Sequence, residues 1–169
     1  MYGMVSHEIE VNVAASEAWK LYGTLQLAKI VGEGGLPDLI TKVDVVQGDG
    51  GVGTILHLFF TSGMMISSYK EKYTVVDDEK RVKEAEVVEG GYLDLGFTLY
   101  RVRFEIIEKE DEENKCITKS TIEYEVKEEA AAAANASSLV SIQPMVAIMN
   151  LAAHYLIQNH NNNNNNRGF

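Results

Sequence analysis

Cys116-Ile117-Thr118-Lys119-Ser120-Thr121-Ile122-Glu123-Tyr124-Glu125-Val126 sets the architecture. Side chains of an extended chain alternate between faces. Cys116, Thr118, Ser120, Ile122, Tyr124 and Val126 therefore share one side, opposed by Lys119, Glu123 and Glu125. The preceding stretch, residues 92–107, repeats the pattern, with Thr98, Tyr100, Val102, Phe104 and Ile106 facing one way against Leu99, Arg101, Arg103 and Glu105. Two half-buried strands joined by the short acidic loop 108–114 pair antiparallel, with one dry and one wet face.

Upstream, further strands are predicted at 39–46, 53–62, 67–76 and 81–89, each bounded by a turn signal such as Asp77-Asp78-Glu79 or Gly90-Gly91. A first strand spans 8–13. Ser16, with Glu17 behind it, reads as the N-cap of a two-turn helix anchored by Trp19 and Tyr22. Thr24 caps a second short helix through Leu27 and Ile30, and Gly32, Gly34, Gly35 and Pro37 end it. After Glu128 the period becomes helical. Ala130–Ala134 favours helix, Pro144 suits a first turn, and Met145, Ile148, Met149, Ala152 and Leu156 form an apolar stripe opposite Asn150, His154 and Gln158. A curved sheet is the one surface large enough to receive that stripe. The class is α+β, with one domain over 1–158 and an asparagine-rich tail, 159–169, expected to be disordered.

The chain has 169 residues, 46% of them apolar, and a formal net charge of −10. An acidic surface repels phosphate, which argues against nucleic acid, and there is no polybasic patch or long apolar run for a membrane. Cys116 has no intrachain partner, and the first residues lack a signal-peptide pattern, so a cytoplasmic protein is expected.

Chemistry concentrates in two strands. In Ser68-Tyr69-Lys70-Glu71-Lys72-Tyr73, the residues Tyr69, Glu71, Tyr73 and Val75 share a face whose aromatic character marks it as buried. In Arg81-Val82-Lys83-Glu84-Ala85-Glu86-Val87, Lys83 lines up with Ala85 and Val87. A carboxylate and an amine on the buried face are costly unless paired or working, and such groups have displaced pKa values. They form a structural cross-strand ion pair or a proton-transfer pocket, or a flipped register exposes them both. Gly48-Asp49-Gly50-Gly51-Val52-Gly53 fits G-x-G-x-x-G literally, but a strand follows where a dinucleotide site needs a helix N-terminus. It reads as a hairpin turn, so no nicotinamide or other cofactor is expected. His7, His57, His154 and His160 lack metal-ligand spacing.

The order of strand, two short helices, six strands and a long helix resembles the birch-pollen-allergen (Bet v 1-like) fold of the plant pathogenesis-related class 10 proteins. The resemblance implies a helix-grip architecture: a seven-stranded curved antiparallel sheet around the C-terminal helix. Within that family, Tyr69-Lys70-Glu71-Lys72-Tyr73, Arg81-Val82-Lys83-Glu84, Glu89-Gly90-Gly91-Tyr92-Leu93-Asp94-Leu95-Gly96 and residues 117–126 look like the norcoclaurine synthases. These join an arylethylamine to an aldehyde and close a ring by Pictet–Spengler attack. The resemblance puts their catalytic Tyr, Glu and Lys on Tyr69, Glu71 and Lys83, and their Asp on Val102. An aliphatic residue there is similar to the norbelladine synthases, which implies condensation of tyramine with 3,4-dihydroxybenzaldehyde to the imine norcraugsodine. A pocket lined by Leu58, Phe60, Tyr73, Tyr100, Val102, Met145 and Met149 is then expected between sheet and helix. The partners expected are small aromatic amines and aldehydes and a separate NADPH-dependent reductase. A norcoclaurine-type cyclase and a non-catalytic carrier of hydrophobic plant metabolites are the alternatives.

Overall fold

The computed structural model of the chain describes residues 1–134 and 138–167. Its elements are β1 (Tyr2–Val11), α1 (Ala15–Tyr22), α2 (Gln26–Ile30) continuing into a π-turn (Val31–Gly35), β2 (Ile40–Gln47), β3 (Ile55–Phe60), β4 (Ser68–Asp77), β5 (Val82–Gly90), a 3-10 turn (Gly91–Leu95), β6 (Phe97–Glu108), β7 (Cys116–Val126), α3 (Glu128–Ala134) and α4 (Gln143–Arg167). The strands form one antiparallel sheet in the order β1-β7-β6-β5-β4-β3-β2. Helix α4 lays its stripe along the inner face, burying Met145, Met149, Ala152 and Leu156 while Asn150, His154 and Gln158 stay in water. This is the helix-grip arrangement.

The expected alternation holds through β7, whose inward residues from Cys116 to Val126 are all buried. On the wet face Arg101 reaches Glu86 and Glu123, each at 3.2 Å, and Arg103 reaches Glu84 at 2.8 Å. The glycine loop is a turn between β2 and β3, with Gly48, Gly50 and Gly53 at positive φ.

Several elements differ from the sequence reading, each for a local reason. β1 begins at Tyr2 rather than residue 8, because β7 offers it a continuous partner from Tyr2↔Glu125 to Val11↔Cys116. α1 starts one turn-position early: the amides of Glu17 and Ala18 donate to the Ala14 carbonyl, so Ser16 lies inside the helix and does not cap it. Thr24 does not cap α2, whose N-cap is Leu25, although its Oγ1 accepts from the Gln26 amide at 3.2 Å. Bulges break the period of two in β4 and β6. Past Thr74 it is Val76, not Val75, that packs on the core, and at the start of β6 Phe97 is buried while Thr98 is exposed. Tyr92 belongs to the 3-10 turn, not to β6, because Gly90, Gly91 and Gly96 all take positive φ around it. α4 runs through the asparagines to Arg167, where a disordered tail is expected; extending a formed helix needs no new nucleus. The last two residues of that tail lie outside the described residues. No helix among the described residues is long and apolar enough to cross a membrane.

Candidate active site

The space between sheet and α4 divides into two chambers. The outer one holds about 190 Å³ and is walled by Phe60, Tyr69, Tyr92, Tyr100, Val102 and Met145, among others. The inner one holds about 60 Å³, and Glu71, Tyr73, Lys83 and Phe104 face it. Ile40 from β2, Leu58 from β3 and Ile148 from α4 line both and form the waist between them. An open groove between Gly35–Leu39, Met64 and the start of α4 borders the outer chamber at Leu39, Met64, Ser141 and Pro144.

The register of β4 on β5 explains what meets what. Glu71 stands opposite Val87 and Tyr73 opposite Ala85, while Lys83 pairs with Val76 beyond the Thr74 bulge. A full residue pair therefore separates the carboxylate from the amine. Among the ion pairs of the described residues there is none between Glu71 and Lys83, which act on each other only from beyond salt-bridge distance. Instead Lys83 Nζ lies 4.7 Å from the Tyr73 ring centre and 5.4 Å from that of Phe104. Lys83 is 2% exposed.

Burial dominates the electrostatics. It raises the Glu71 carboxyl to about 7 against the pull of Lys83. It lowers the Lys83 amine to about 8 against the support of Glu71. The Tyr69 phenol is pushed up by burial and by the nearby Glu71, so it remains a neutral donor at physiological pH. Between about pH 7 and 8 the chamber thus presents a carboxylate able to take a proton and an ammonium able to give one.

Tyr69, Glu71 and Lys83 all face the chambers, Tyr69 in the outer one and the other two in the inner. Leu58, Phe60, Tyr73, Tyr100, Val102 and Met145 also line them. Met149 does not: it is fully buried and lines neither chamber. The sequence reading missed Tyr92, which stacks on Tyr100 at 4.0 Å with ring planes 5° apart. Its signal was an aromatic flanked by glycines, Gly90-Gly91 before and Gly96 after, a pattern for a tight turn and not a strand. It also missed Phe104 as a wall of the inner chamber and the waist residues Ile40 and Ile148.

The chain is 46% identical over 94% of its length to norbelladine synthase of Narcissus pseudonarcissus, covering 94% of that protein. It is 36% identical over 91% of its length to S-norcoclaurine synthase 2 of Papaver somniferum, spanning 65% of that longer protein. A solved structure of norcoclaurine synthase from Thalictrum flavum, in complex with dopamine and hydroxybenzaldehyde, superposes with a TM-score of 0.82 at 34% identity, covering 94% of this chain and 88% of that one. The profile of the pathogenesis-related protein Bet v 1 family matches residues 1–158, and the chain belongs to that family.

Proposed function

We propose that the protein condenses an aromatic amine with an aromatic aldehyde, taking tyramine and 3,4-dihydroxybenzaldehyde to the imine norcraugsodine. The observation that carries this reading is that Glu71 and Lys83, a carboxyl and an amine outside ion-pair distance of each other, line the same small inner chamber. Similarity to the Narcissus norbelladine synthase supports the substrates.

Imine formation makes a C–N bond and expels water. The neutral amine nitrogen attacks the carbonyl carbon while Lys83 gives a proton to the carbonyl oxygen. Glu71 takes a proton from the nitrogen, leaving a neutral carbinolamine. Glu71 then returns that proton to the hydroxyl, which departs as water, and Lys83 recovers its proton as the iminium nitrogen gives one up. Tyr69, in the outer chamber, hydrogen-bonds a substrate phenol or the carbinolamine. General acid–base help of this kind is worth roughly 10²–10⁴-fold, and holding the two substrates together adds to it.

Val102 is where a cyclising enzyme of the resemblance has its carboxylate, and here it is 5% exposed among apolar neighbours. Tyramine also lacks the second hydroxyl that activates the ring carbon for attack. Both favour release of the imine, which a separate NADPH-dependent reductase in the cytoplasm would consume. A norcoclaurine-type reaction of dopamine with 4-hydroxyphenylacetaldehyde is the second reading, supported by the similarity to the poppy and Thalictrum proteins.

The test is purified protein with tyramine and 3,4-dihydroxybenzaldehyde, trapped with borohydride, beside Lys83→Ala. Enzyme-dependent product that falls at least tenfold in the variant is expected. Equal product in buffer alone, with dopamine and 4-hydroxyphenylacetaldehyde equally unaccelerated, points to a carrier.

A further inference from the structure

Among the described residues no carboxylate lies within salt-bridge distance of Lys83; Glu71 acts on its buried amine only from farther off, and the amine sits over two aromatic rings, Tyr73 at 4.7 Å and Phe104 at 5.4 Å. A cation held over ring faces gains attraction from the ring quadrupole, and the gain is largest where water is excluded. A ring face differs from a carboxylate in one chemical respect: it attracts the cation but has no lone pair to take its proton. We infer that Tyr73 and Phe104 are positioning residues that hold Lys83 as an ammonium while leaving its N–H bonds free for the substrate carbonyl. The inference deepens the proposed condensation and rests on Lys83 being its proton donor.

The surroundings support this division of labour. The titratable groups of the inner chamber besides Lys83 are Glu71 and Tyr73. α2 and its π-turn contribute Leu27, Ala28 and Val31, and α4 contributes Ile148, none of which carries charge. Glu84, next to Lys83 in sequence, points to the wet face and is held by Arg103 at 2.8 Å. Tyr73 and Phe104 come from the strands on either side of β5: Phe104 lies directly opposite Lys83, and Tyr73 sits opposite Ala85. Phe104 is itself backed by Tyr22, ring centres 5.5 Å apart, which fixes its plane.

Direct titration of Lys83 tests the inference without any substrate. Protein labelled with ¹³C at the lysine Cε is followed by NMR against pH, the Lys83 signal being assigned by its loss in Lys83→Met. Tyr73→Leu and Phe104→Leu keep the side chain apolar but remove a ring; Tyr73→Phe and Phe104→Tyr keep the ring. In each leucine variant the Lys83 midpoint is expected to fall by about one pH unit, because the charged form loses its attraction. The ring-retaining variants are expected to titrate as the unaltered protein does. The basic limb of the turnover profile should move by the same amount. Should Phe104→Leu not fold, for its contact with Tyr22, the Tyr73 pair decides alone. Unmoved midpoints in the leucine variants, or equal shifts in leucine and ring-retaining variants, overturn the inference. A normal NMR result in a protein without condensing activity would instead sink the proposed function and leave the aromatic clamp standing.

Discussion

Lys83 and Glu71 are each held in an environment that opposes their ordinary charge, and stability should show it. Lys83 titrates lower in the fold than in the open chain, so its contribution is fully present above about 10.5 and is lost as pH falls through about 8. Glu71 titrates higher, so its contribution is present below about 4.5 and is lost as pH rises through about 7. Near neutrality the protein carries both costs. Lys83→Met is therefore expected to raise stability at pH 7 by roughly 1–3 kcal/mol, measured by urea unfolding, while condensation falls at least tenfold. A loss of stability would show that the amine contributes more through contact than burial costs it. Glu71→Gln should erase the acid limb of the turnover profile near pH 7 and, above that pH, unfold at higher denaturant than the unaltered protein.

At the scale of elements, a glycine makes room for the Tyr69 side chain. Gly91 has φ +57°, and a Cβ there would lie 2.9 Å from Tyr69 Cβ and 3.0 Å from its ring. Gly91→Ala is expected to displace the Tyr69 ring and cut turnover several-fold, with the Lys83 titration unchanged; retained turnover would mean Tyr69 is not needed where it stands. This turn also marks where the sequence stops being legible. β7 could be read residue by residue because β1 pairs with it without interruption, the one shift against β6 falls on β6 near Phe97, and its own period never breaks. So could the facing of Tyr69, Glu71 and Lys83, since the period of two runs unbroken from Tyr69 to Tyr73 in β4 and from Lys83 to Val87 in β5. Val75, Thr98 and Tyr92 were misread because a bulge or a run of positive-φ glycines is chosen by tertiary pairing, and a period of two carries no trace of it. Met149 looked like a wall because a helical stripe gives a face but not a depth: it and Met145 share that face, and only Met145 reaches the chamber. Ser120 illustrates another invisible feature. Its hydroxyl is fully buried with no protein hydrogen-bond partner, so Ser120→Ala should leave stability unchanged or raise it, as thermal unfolding would show.

The whole molecule sets the reaction's geometry through its waist. A cavity of about 150 Å³ suffices for one benzene ring, so the outer chamber, at about 190 Å³, takes an aryl group and the inner, at about 60 Å³, takes only a small polar group. A carbonyl reaching Lys83 must therefore pass the waist, while its ring stays among Tyr69, Tyr92 and Tyr100 and the second substrate approaches from the groove at Met64 and Pro144. Ile40, Leu58 and Ile148 come from three separate elements, so the seating of α4 on the sheet fixes the aperture. Narrowing it separates binding from chemistry. Ile148→Phe, at a position only partly buried, is expected to cost no more than about 1–3 kcal/mol in overpacking. Aldehyde binding, followed by calorimetry, should persist within a few-fold, while turnover falls at least tenfold because the carbonyl no longer reaches Nζ. Parallel loss of binding and turnover would instead place the aldehyde ring across the waist, and undiminished turnover would place the chemistry wholly in the outer chamber, away from Lys83.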